Sequence, residues 1–234
     1  MRFSRQRIWA LICIVVVLSL PYIIHAASGH IFFFIIPLGW VVLVRNESFL
    51  KLGVTKTNLI KSIAIGIVTG ISLGLLAGLI LQMAGVEKAS LDSAKIYALV
   101  EPKICFSGSS YPSASIYMLR QSVTTKGLGY YLLFMLFVVG LGEELFWRGF
   151  IQQYIFAHLT KQKALLLTSF IFGLAHIFLF FFVSGKIGIL FLLIIIGAGL
   201  AWGYLASSLG NIWAAAISHG IAAFILWRFY FFKV

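Results

Sequence analysis

Acidic side chains are scarce in this chain: Glu47, Glu87, Asp92, Glu101, Glu143 and Glu144 are the only six in 234 residues, against eighteen lysines and arginines. Charge of either sign is sparse too, at 10%. A water-soluble domain carries about 25% charged residues, so that class is excluded. The 62% hydrophobic content and positive mean hydropathy point to lipid as the main solvent. Cysteine is nearly absent, with Cys13 in the first apolar run and Cys105 in a polar segment far along the chain. One thiol at membrane depth and one outside it do not form a disulfide, and neither has metal-ligand spacing. The net charge of +12 raises nucleic acid as a partner. The basic residues fall between apolar runs, however, and not in an aromatic-interleaved patch. That is the pattern of topology signals and anionic lipid headgroups, so the expected partner is the bilayer and not nucleic acid.

Apolar runs are what the chain has in place of charge. The first, Ile8 to Ile24, follows Arg2, Arg5 and Arg7. A signal peptide ending near Ala26 and Ala27 competes with a retained helix, and the length of the run and the second run close behind it favour the helix. The second, Ile31 to Val44, is short and contains Pro37, which predicts a kinked span or a re-entrant piece. Arg45, Lys51, Lys56 and Lys61 then face a single Glu47, a cytoplasmic signature. From Ser62 to Val86 runs a long span with Gly66, Gly70, Gly74 and Gly78 on one stripe, suited to close helix packing or to gripping a substrate helix, packing being favoured. Residues 87–126 are polar and serine-rich, an extramembrane loop on the outer side if the first three runs cross. The remaining runs are Leu128–Trp147, Ala164–Val183, Ile187–Ala206 and Ile212–Phe232.

The fold class predicted is all-α, a polytopic transmembrane helical bundle of about seven spans, six to eight. Residues 1–86 form the N-terminal transmembrane helices, 87–126 the loop and 127–234 a second helical core. Seven crossings from a cytoplasmic N-terminus put Arg228 and Lys233 outside, so a re-entrant run, a split run or an extra short segment at 149–158 stays open.

Chemistry concentrates in the second half. Glu143 and Glu144 end an apolar run in Gly140-Leu-Gly-Glu-Glu-Leu-Phe-Trp-Arg-Gly149. Ionisable groups at membrane depth are costly and face a cavity or a partner. On a helix Glu144 and Arg148 share a face and can pair, while Glu143 points about 100° away. The arginine can hold one carboxylate ionised while the other serves as a base; an interfacial charge cluster that merely sets depth is the competing reading. His176 and His219 lie within later runs, and two imidazoles plus a diglutamate on three spans favour a site over scaffold. Such a set activates water either alone or through zinc held by Glu143, His176 and His219, although the helical spacing of zinc proteases is missing. His25, His30 and His158 sit at run ends, where interfacial placement suffices.

Glu143-Glu144-x-x-x-Arg148, then Phe172-x-x-x-His176, then the late intramembrane His219 after Asn211-Ile-Trp-Ala, resemble the CAAX protease and bacteriocin-processing enzyme family over roughly Gly127 to Phe229. The resemblance implies an intramembrane, metal-independent endopeptidase with no cofactor, and makes 127–234 the protease core. Glu143 would activate a water, Glu144 would pair with Arg148 or assist positioning, His176 would orient the water and His219 would stabilise the oxyanion, with Phe172 in support. Its substrate would be a membrane-associated peptide or protein, bacteriocin or peptide processing included, at a prokaryotic plasma membrane. One position departs from the pattern: many members have asparagine four residues after the late histidine, where this chain has Ala223. The alternatives are a non-enzymatic membrane immunity or scaffold protein and, lacking any internal repeat, less readily a proton-coupled transporter.

Overall fold

In the computed structural model the described residues are 32–85, 128–176 and 185–226, and every regular element among them is a helix. The run Ile8–Ile24, the 87–126 stretch, both cysteines, His25, His30, Arg228 and Lys233 lie outside them. Helix α1, Phe32–Leu38, contains Pro37 and continues as a π-helical stretch, Gly39–Val44. Proline donates no backbone hydrogen bond and its ring crowds the preceding turn, so the winding changes where the sequence predicts a kink. A 3₁₀ turn, Phe49–Leu52, follows, capped by the Ser48 hydroxyl, which accepts from the Leu50 amide. The other helices are α2 (Leu59–Met83), α3 (Leu128–Ile155), α4 (Lys161–Ala175), α5 (Gly185–Leu209) and α6 (Trp213–Leu226).

Among the described residues three helices are long and apolar enough to cross a membrane: Leu59–Met83, Leu128–Ile155 and Gly188–Leu209. Phe33–Val44 and Trp213–Leu226 are shorter apolar helices. The chain is an integral membrane protein with an all-α bundle, as its composition demands. The 149–158 segment is not an extra element: Gly149–Ile155 is the end of α3, because the backbone continues in π-helical winding instead of turning.

Helix α2 is inside-out relative to a water-soluble helix. It buries Ser62, Gly66, Gly70, Gly74, Ala77, Gly78 and Leu81, and presents Ile60, Val68, Leu75 and Leu79 outward. Burying the small residues brings backbones together and leaves the branched ones for lipid. A Cβ at Gly66 would lie 2.9 Å from the Ala214 carbonyl oxygen, at Gly70 2.8 Å from that of Ser218, and at Gly74 2.9 Å from Ile225 Cβ. The glycine stripe is therefore occupied by α6. A second close crossing joins α3 to α6, where a Cβ on Gly220 would meet Leu136 Cα at 2.7 Å. These two crossings fix α6, and with it His219.

Helices α2 to α6 alternate in direction, and their ends gather at one face. There Tyr154 donates to Glu47 at 2.7 Å, Asn211 donates to the Thr57 carbonyl at 2.7 Å and to Ser62 Oγ at 2.9 Å, and the Trp213 indole donates to the Thr55 carbonyl at 2.8 Å. Asn211 also caps α6, accepting from the Trp213 amide at 3.0 Å. Arg45, Lys51, Lys56, Lys61, Lys161 and Lys163 all sit in or beside these connections and make this the basic face of the described bundle.

Candidate active site

Glu143 and Glu144 occupy a single α-helical turn, Gly142–Glu144, between two π-wound stretches of α3, Met135–Leu141 and Leu145–Ile155. A π segment closes its hydrogen bonds one residue later than an α-helix and is frequent at functional sites. One such turn holds more than four residues, so Glu144 and Arg148 still fall within a turn of each other. Arg148 Nη1 lies 3.1 Å from Glu144 Oε1, both side chains fully buried. Such a pair is retained only with further hydrogen bonds. Arg148 Nη2 donates to the Gly199 carbonyl at 2.9 Å, and the guanidinium lies over the Phe172 ring, 4.7 Å from its centroid. The fit depends on glycine at 199, where a Cβ would meet Phe172 at 3.2 Å and Arg148 at 3.4 Å.

His219 comes from α6 and is 6% exposed, like Glu143. Its Nδ1 is 2.9 Å from Glu144 Oε1, so the same carboxylate oxygen serves both Arg148 and His219. With Glu144 ionised, Nδ1 carries the hydrogen and donates. The other ring nitrogen, Nε2, lies 4.0 Å from Glu143 Oε2. Trp202 of α5 stacks flat on the imidazole, centroids 3.9 Å apart and planes at 14°, and its indole N–H donates to Ser218 Oγ at 3.0 Å. Phe172 meets His219 edge-on at 6.0 Å. These contacts hold the ring orientation from both sides.

His176 stands at the end of α4, with Nδ1 2.8 Å from the Phe172 carbonyl and its ring 4.6 Å from that of Phe172. The Phe172 ring is thus the shared neighbour of Arg148, His176, Trp202 and His219. Of the residues singled out from sequence, the structure gathers Glu143, Glu144, Arg148, Phe172 and His219 directly and brings in His176 through Phe172. His158 is exposed on the basic face, where Nδ1 meets the Ile155 carbonyl at 3.1 Å. Trp202, Ser218 and the Gly199 carbonyl were not singled out; only folding brings a lone tryptophan and a backbone oxygen from α5 to this point. Gln152, buried and four residues beyond Arg148, was available as a signal from its spacing.

Residues 125–225 match the family model described as type II CAAX prenyl endopeptidase Rce1-like. This segment is Rce1-like. The Rce1-like segment covers α3 to α6 nearly whole and holds Glu143, Glu144, Arg148, His176 and His219. At family level the match supports a CAAX-protease-like intramembrane peptidase, a hydrolase. No curated protein and no solved structure matches the chain.

Proposed function

We propose that the chain is an endopeptidase in which Glu143, as general base, activates a water for attack on a peptide bond of a membrane-associated peptide or protein. One observation carries this reading: two adjacent buried carboxylates meet the two nitrogens of one imidazole at different distances. Glu144 is neutralised by Arg148 at 3.1 Å and bonded to His219 at 2.9 Å, while Glu143 faces His219 Nε2 at 4.0 Å. A water about 2.8 Å from each of those two atoms would subtend roughly 90°, within the range its lone pairs and protons serve.

In this mechanism Glu143 takes a proton as the water oxygen adds to the carbonyl carbon, then returns it to the departing amine. His219, fixed through Nδ1 to Glu144, presents Nε2 to the reacting centre and, when protonated there, donates to the developing oxyanion. His176, with Nδ1 donating to the Phe172 carbonyl, has Nε2 as an acceptor for the second water proton. Glu144 and Arg148 act as positioning residues that keep His219 in register.

The reading routes activation through Glu143 without a metal. Among the described residues no three His, Cys, Asp or Glu side chains come together as a ligand set. The test is proteolysis by the purified protein in lipid before and after prolonged treatment with a strong chelator. Unchanged turnover is expected. Loss on chelation, restored by added zinc, would transfer the activation step to a metal.

A further inference from the structure

We infer that a closed polar seam behind the glutamates, between α3, α4 and α5, is an internal water-binding site reached from the basic face. The role of that water as hydrolytic supply rests on the proposed protease reading; the hydration itself does not.

Every apolar neighbour of the site argues for a dry interior, yet the seam is lined with polar groups. Arg148 and Gln152 come from α3, and Thr168 and Ser169 from α4; all are at most 3% exposed. Glycines on α5 let these groups approach its backbone closely: a Cβ at Gly199 would lie 3.4 Å from Ser169 Cβ, and one at Gly203 would run into Leu165 and lie 2.7 Å from Gln152 Oε1. Some of the polar atoms are used. Arg148 Nη2 donates to the Gly199 carbonyl at 2.9 Å, and Gln152 Nε2 donates to the Gly203 carbonyl at 3.0 Å and to Ser207 Oγ at 2.8 Å.

Others are not. Arg148 Nε, Gln152 Oε1, Thr168 Oγ1, Ser169 Oγ and Glu144 Oε2 are buried with no hydrogen-bond partner among the described residues. Leaving so many polar atoms dry would cost a sizeable part of a domain's stability. The set mixes donors (Arg148 Nε–H and the two hydroxyls) with acceptors (Gln152 Oε1 and Glu144 Oε2), as a buried water making two to four hydrogen bonds requires.

The seam has two ends. One is the Glu144 carboxylate, joined to His219. The other is half-buried Ser207, two residues before Leu209 closes α5 at the basic face. Bilayer lipid excludes water, and peptide hydrolysis consumes one molecule per turnover. A hydrated seam resolves that conflict, and makes Gln152, Thr168 and Ser169 positioning residues for water.

The test uses the full chain in lipid nanodiscs, wild type against the Thr168→Val/Ser169→Ala double variant, which removes both hydroxyls at nearly constant volume. Radiolytic hydroxyl labelling marks side chains beside bound water even when they are buried. The inference expects Phe172 and Leu165, which line the seam, to be oxidised several-fold faster in wild type than in the variant, with Phe146 and Phe150 of the apolar core slow in both. It also expects no rise in thermal midpoint and a fall of about tenfold in kcat at unchanged KM. Equal labelling in the two proteins, together with a higher midpoint in the variant because unsatisfied hydroxyls are gone, overturns it. Labelling does not depend on turnover. Seam labelling in a wild type that cleaves nothing would sink the protease reading and leave the hydration site standing.

Discussion

Arg148 is fully buried, and its charge is met by Glu144, the Gly199 carbonyl and the Phe172 ring. Removing one partner of a buried pair costs about 3–5 kcal/mol because the other charge is stranded. Arg148→Met is therefore expected to lower unfolding stability in lipid by that amount, while Glu144→Leu/Arg148→Met recovers most of it and stays inactive. Glu143→Gln leaves the Glu144 cluster intact and is expected to change stability by less than about 1 kcal/mol. Outside the spans, the Tyr154 hydroxyl, with Lys51 and Arg45 helping, holds Glu47 below the usual carboxylate range against a smaller opposing effect of burial. A carboxyl lowered on folding stabilises at pH above its unfolded value and loses that contribution as pH falls through its folded one. The thermal midpoint should thus decline on the acid side of about pH 4.3, and Tyr154→Phe should flatten that decline.

Helix–helix contacts here are set by what is missing from side chains. Gly70→Leu must push α6 away, since even a Cβ would sit 2.8 Å from the Ser218 carbonyl. A loss of about 1–3 kcal/mol is expected, with reduced activity, because Ser218 and His219 move together. Gly197→Ala is the control: nothing lies within 4 Å of a Cβ there, and neither stability nor activity should change. Much at this scale was readable in the sequence. Hydrophobic runs and intervening lysines gave the helices and the basic face, and the four-residue glycine spacing gave the close approach. The motif EExxxR carried its own geometry, since residues four apart meet on a helix whatever surrounds it. What could not be read depends on three-dimensional packing: the π winding on both sides of Glu143 and Glu144, the stacking of Trp202 on His219, and the use of Gly199 as an acceptor. The 149–158 segment was ambiguous for the same reason, because a π-wound continuation has no distinctive residue pattern.

At the scale of the whole molecule, α2 to α6 form an alternating bundle with its basic connections on one face. In a protein with Cys13 and Cys105 replaced by serine, cysteines at Lys56 and Lys161 should react with impermeant reagents only from the cytoplasmic side, and one at Gly85 only from the other. The opposite labelling would invert the bundle. With the basic face cytoplasmic, the proposed water entrance at Ser207 opens toward the cytoplasm and the carboxylates lie deeper, between helices that lipid surrounds. The measurement that tests the central claim most directly is cleavage of a membrane-anchored peptide library in proteoliposomes by wild type and by Glu143→Gln, at matched folding judged by thermal midpoint. The account predicts products from wild type and a loss on the order of 10²–10⁴-fold in the variant. Equal cleavage by the two proteins would contradict it.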